Sequence, residues 1–207
     1  MPNWCHNSMK ITGPVSEVDR FKAICIRTVW EDHPAQLDFN AIDQMPDFPD
    51  EERIPGGGAD ACLRHGGRPI DEPTFPAWYE WACKHWGTKW NANDFEVTRD
   101  EPGHYEFSFD TAWSPPVPIW EKMASMFPDI ECSISGMEPL MDYAFEGTIR
   151  GGRLELFDRP LIWSIVDPRT GKMFSGTRAE VEAVLDEHEG AVAVSTRVVT
   201  DDELPPF

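Results

Sequence analysis

No run of apolar residues in this 207-residue chain is long enough to cross a bilayer as a helix, which excludes a membrane-spanning helix within it. The opening stretch MPNWCHNSMK has no basic region followed by an apolar block, so no secretory signal is expected there. Cations are scarce. Eighteen Lys and Arg face thirty-seven Asp and Glu, a net charge of −19. Such a field repels nucleic acid phosphates and anionic membranes, so direct nucleic-acid binding is not expected and a macromolecular partner should be basic. Cysteine is sparse as well. Five residues, an odd number, lie apart within apolar patterns, which fits reduced thiols in a cytoplasmic protein.

Motifs that carry chemistry are also missing. Cys62 with His65 and Cys83 with His85 do not repeat the paired spacing of a structural zinc site, so no metal is expected. The glycines between Gly56 and Gly67 lack the Gly-Lys-Ser/Thr ending of a phosphate-binding loop, and no cofactor is implied. Cys5, His6 and Asn7 share the residue types of a cysteine-protease triad. On a strand, however, His6 faces away from the other two, so no nucleophile–base pair can form.

What is present in excess is tryptophan. Six of the nine lie between Trp78 and Trp120, joined by the blocks WGTKW (Trp86 to Trp90) and TAWSPP (Thr111 to Pro116). A segment this rich in tryptophan is the densest part of a core, the floor of a binding surface, or both. Together with 41% apolar residues it argues for a folded globule.

Taken in order, residues 4 to 12 alternate as a strand, with Cys5, Met9 and Ile11 on one face. Ser16 and Asp19 read as the start of a helix that carries Val18, Phe21, Cys25 and Val29 and runs to about Trp30. Leu37 to Ile42 reads as a short strand. From residue 43 to 73 prolines and glycines dissolve the pattern into an insertion loop. Thr74 opens a second helix with Pro76 in its first turn, Trp78 and Trp81 on one apolar face, Tyr79, Cys83 and Trp86 on a second so that it is buried on two sides, and Gly87 as its left-handed stop. Strands follow at 89–98 and at 105–109, where Tyr105, Phe107 and Phe109 alternate with polar residues. A third helix holds Val117, Trp120, Ala124 and Phe127. Strands at 130–135, 143–149 and 153–157 come next, the last two joined by a hairpin at Arg150-Gly151-Gly152. After Pro160, two strands flank the turn at 167–171, Thr177 and Glu180 form a capping box for a helix, and residues 191–199 end in a strand.

This order predicts an α+β fold: a ferredoxin-like split βαβ core, with helices on one face of a largely antiparallel sheet. Residues 1–157 would form that domain, with the loop at 43–73 inserted, and 158–207 a small hairpin-helix-strand appendage.

The block NWC (Asn3 to Cys5) with Asn7, then WGTKW, TAWSPP and the segment from Tyr143 to Gly147 resemble the YubB family of plasmid- and phage-borne bacterial proteins. The resemblance spans roughly residues 1 to 157. It implies a ferredoxin-like domain and a mobile-element setting, and it assigns no catalytic residue.

Trp86, Lys89, Trp90, Trp113 and Ser114 are the candidate binding residues, because they fall at element ends where function concentrates. Lys89 is a lone cation between two tryptophans and is placed for a cation–π contact. The preferred reading is a non-enzymatic, cytoplasmic interaction protein of a mobile element that engages a basic host protein. Its sharpest form counters a bacterial defence system by occupying a basic nucleic-acid-handling complex. The rival is a small-molecule binder or enzyme at the tryptophan corner, although no matched acid–base pair falls there. A third reading, single-strand nucleic-acid binding, requires Tyr105, Phe107 and Phe109 to stack on bases from an open sheet face.

Overall fold

A computed structural model describes residues 3–29, 34–48, 53–55, 74–166, 171–186 and 193–198. Its centre is a six-stranded antiparallel sheet in the order β10-β9-β8-β1-β7-β6. The strands are β1 (Trp4–Thr12), β6 (Asn93–Glu101), β7 (His104–Ala112), β8 (Glu131–Glu138), β9 (Tyr143–Arg150) and β10 (Arg153–Arg159). Helix α1 (Val15–Cys25) follows β1, and α3 (Val117–Met126) links β7 to β8. Numbering β1, β6, β7 and β8 as strands one to four gives the spatial order four-one-three-two with a helix after strands one and three. That is the split βαβ, ferredoxin-like arrangement. Strands β9 and β10 extend it as a meander through the hairpin at Gly151-Gly152, both at positive φ as a two-residue turn requires.

One face of the sheet is dry. Cys5, Met9 and Ile11 of β1, Tyr105, Phe107 and Phe109 of β7, Cys132 and Ile134 of β8, and Phe145 and Ile149 of β9 are all buried. Phe21 of α1 lies against Tyr105, Phe107 and Phe127, and Trp120 of α3 lies against Phe145. The aromatic row of β7 is therefore core, and the nucleic-acid reading that needed it exposed loses its main support. Gly136 sits directly under the Phe145 ring, and a Cβ there would lie 2.4 Å from that ring and from the His6 carbonyl.

Several boundaries differ from the sequence reading, each for a local reason. The first helical hydrogen bonds run from Glu17 and Val18 to the Pro14 carbonyl, so Pro14 and not Ser16 precedes the helix. Helix α1 stops at Cys25 rather than Trp30, because β2 (Ile26–Arg27) pairs with β3 (Gln36–Leu37). The strand expected to continue to Ile42 gives way to a 3₁₀ turn at Phe39–Ala41, where the Asp38 carboxylate accepts from Asn40 N–H. Thr74–Pro76 is strand β5, paired with β4 (Arg53–Pro55), and helix α2 (Ala77–His85) begins after Pro76. Residues 49–52 and 56–73 of the insertion, with Gly56 to Gly67, Cys62 and His65, lie outside the described residues. β6 begins at Asn93 rather than Lys89, because Asn91 Oδ1 accepts from both Phe39 N–H and Ala92 N–H and diverts the backbone. Trp120 is fully buried, whereas Trp78 and Trp81 are only partly so.

The C-terminal unit is a three-stranded sheet, β12-β11-β13, from β11 (Leu161–Val166), β12 (Met173–Gly176) and β13 (Ala193–Val198), with helix α4 (Arg178–Asp186). The capping box forms: Thr177 N–H donates to the Glu180 carboxylate at 2.8 Å, and Glu180 N–H to Thr177 Oγ1 at 3.4 Å. The unit meets the main sheet at the β8–β9 turn. Trp163 Nε1 donates to Asp142 at 2.7 Å, and Arg178 donates to the Leu140 carbonyl at 3.0 Å.

Candidate functional site

Lys89 stands at the centre of the tryptophan corner. Its ammonium lies 4.3 Å from the Trp90 ring centroid, 5.4 Å from Trp113 and 5.7 Å from Tyr79. Trp4 completes the cluster, 6.3 Å from Trp90. A cation over three ring faces is held by their quadrupoles while its stem covers apolar surface. Trp90 is 39% exposed.

Hydrogen bonds lock the loops beneath. Ser114 Oγ–H donates to the Gly87 carbonyl at 2.6 Å, Thr88 Oγ1–H to the Ala112 carbonyl at 2.9 Å, and Thr111 Oγ1–H to the Ser114 carbonyl at 2.8 Å. Trp113 N–H donates to the Asn3 carbonyl at 2.9 Å, and Tyr143 Oη–H to the Trp113 carbonyl at 3.1 Å. Buried Asn7 donates to the Cys5 and Phe109 carbonyls and to Thr111. The four separated sequence blocks thus converge on one polar latch. Within it Trp113 has φ +68°, a strained conformation for a bulky side chain and one that aims its ring at Lys89.

Of the predicted residues, Lys89, Trp90 and Trp113 form the cluster. Ser114 is a tie below it. Trp86 turns inward, 4% exposed, with its indole N–H donating to the Asp43 carbonyl. Sequence reasoning missed Trp4, which it assigned to a strand face, and Tyr79, which it assigned to a helix core. Both owe their place here to the β1–β7 pairing and to the pose of α2, neither of which has a local signal.

Among the described residues the corner holds no acid–base pair. Burial pushes the Cys5 thiol up to about 12, against a smaller opposing effect from the Tyr143 hydroxyl, so the thiol is protonated and inert at neutral pH. A titratable group of another kind lies between α2 and α3: Asp43 accepts from His85, 3.2 Å away, and from Lys122, with Trp81 stacked on the His85 ring. Among the described residues no group of His, Cys, Asp and Glu gathers to hold a metal ion, and no helix is long and apolar enough to cross a membrane.

The edge strand leads away from this corner. β6 is exposed along its length except at Phe95, and it carries Asp94, Glu96, Asp100 and Glu101. Lys22 pairs with Asp100 and Arg99 with Glu101, while Asp94 and Glu96 make no ion pair among the described residues.

Residues 85–150 match the family model described as a ferredoxin-like domain in Api92-like protein. The match takes in Lys89, Trp90, Trp113 and Ser114 of the corner but not Trp4 or Tyr79, together with β6 to β9 and α3, and its ferredoxin-like description agrees with the fold. A crystal structure of the protein Api92 from Yersinia pseudotuberculosis is similar over 76% of this chain and 98% of its own, at 12% identity and a TM-score of 0.48. Among curated proteins none matches the sequence.

Proposed function

We propose that the chain is a non-enzymatic, cytoplasmic interaction protein that docks a basic protein, with Trp90 as the anchor and β6 as the acidic rim. The observation that carries this reading is the position of a partly exposed tryptophan cluster, on a hydrogen-bonded frame, at the head of an acid-bearing edge strand. Aromatic anchors ringed by complementary charge are how interfaces concentrate their energy and select partners. The charge of −19 supplies the complementary field. The blocks that resemble the YubB family favour a mobile-element setting, and a basic nucleic-acid-handling complex of the host is the partner class that fits both.

The test is capture of partners from nuclease-treated bacterial lysate at low and high salt, with the W90A variant beside the wild type. The expected result is one basic complex, retained at low salt, lost at high salt, and bound about tenfold or more weaker by the variant. Capture that ignores salt, or that survives W90A unchanged, overturns the reading.

A further inference from the structure

The face of the main sheet opposite the helices carries a second feature. Between β1 and β10 lies a half-open trough with a cavity volume of about 360 Å³. Strand pairing aligns Phe157, Glu146, Ser135 and Ser8 in one row across it, and Thr148, Ser133 and Lys10 in the next. The hydroxyls of Ser8, Ser133, Ser135 and Thr148 make no hydrogen bond to protein among the described residues, so the floor offers donors and acceptors to whatever enters.

Its charges are already matched. Arg159 Nε donates to Glu146 Oε2 at 2.8 Å, with the guanidinium side chain 13% exposed, and Lys10 lies 3.7 Å from Glu106. In a chain of −19 no net positive field remains to draw an anion. A guanidinium fixed beside a carboxylate instead presents donors next to acceptors, which is what vicinal hydroxyl groups require. Phe157, 51% exposed at the rim, offers a ring whose negative face suits the C–H face of a sugar ring. The trough spans three strand spacings, about 14 Å, enough for two sugar rings.

We propose that this trough binds a neutral saccharide of one or two rings, stacked on Phe157 and hydrogen-bonded by Glu146, Arg159 and the hydroxyl floor. The site is separate from the tryptophan corner and does not depend on it.

Amide NMR of isotope-labelled protein tests this with cellobiose, maltose and N,N′-diacetylchitobiose as separate probes, and with AMP and inorganic phosphate as anionic probes. The expected result is saturable shifts at Ser8, Ser133, Ser135, Thr148 and Phe157 with at least one disaccharide, at a Kd of about 1 mM or tighter. Neither anion should shift those amides. F157A and T148V, both at exposed positions, should weaken binding about tenfold while the remaining spectrum stays unchanged. The proposal is overturned if no disaccharide shifts these amides, if shifts map elsewhere, or if AMP or phosphate shifts them.

Discussion

Ser114 and Gly87 are joined by a 2.6 Å hydrogen bond from the serine hydroxyl to the glycine carbonyl, and that bond ties the TAWSPP block to the WGTKW block. Gly87 is at φ +78°, and a Cβ there would lie 2.7 Å from Pro118 Cδ and 3.2 Å from the Pro115 carbonyl. The two positions should therefore respond differently. S114A loses one hydrogen bond and leaves an acceptor short, about 1–2 kcal/mol. G87A adds left-handed strain to a clash with a neighbouring loop and should cost more. Urea unfolding of both variants measures the order, and equal costs would mean the Gly87 contact relaxes freely.

At Trp113 the usual ranking of small residues should invert. Its φ of +68° penalises every side chain with a Cβ, so W113G should be more stable than W113A by about 1 kcal/mol. Both lose the ring over Lys89, so both should lose partner capture alike. Thermal unfolding separates the pair, and an alanine variant as stable as the glycine variant would show that the strain is not stored there.

Trp120 is fully buried, and its indole N–H finds no acceptor among the described residues. Replacement by phenylalanine removes that unpaired donor while keeping most of the ring, so the lost contact is offset by a relieved desolvation cost. W120F should cost under about 2 kcal/mol, and W120A about 3–5 kcal/mol from the cavity between α3 and Phe145. Chemical denaturation of both variants decides it.

The core was legible where one period dominated. The alternation in β1 and β7 marks which residues face the helices, and Val18, Phe21 and Cys25 mark the buried side of α1. Helix ends were less legible, because Pro14 and Pro76 lie just outside helices that Ser16 and Thr74 seemed to open. Proline in an extended conformation can supply the first helical acceptor carbonyl without any side-chain cap. The corner was legible in part. Lys89, Trp90 and Trp113 are close along the chain or at loop ends, but Trp4 reaches them only through β1–β7 pairing. The trough had no signal at all, since its hydroxyls come from three strands as isolated serines and one threonine on the solvent side.

Alkaline pH should probe the core directly. Burial pushes the thiols of Cys5 and Cys25 from 9.0 up to about 12, and the Tyr105 hydroxyl from 10.0 up to about 12. Burial also raises the Cys132 thiol. In the unfolded chain these groups ionise at their ordinary values, so above pH 9 the unfolded state sheds protons that the folded state retains. Folded values that are raised contribute stability that is fully present below the unfolded pKa and is lost as pH climbs toward the folded one. Denaturant midpoints should thus hold steady to about pH 9 and then fall progressively toward about pH 12. A C25A variant should be less stable at neutral pH, through its small cavity, yet show a shallower alkaline slope. A thiol reagent at pH 8 should leave Cys5, Cys25 and Cys132 unmodified in the native protein and label them on unfolding. Rapid labelling of the native protein, or a slope unchanged in C25A, would mean that these thiols are reached by solvent without unfolding.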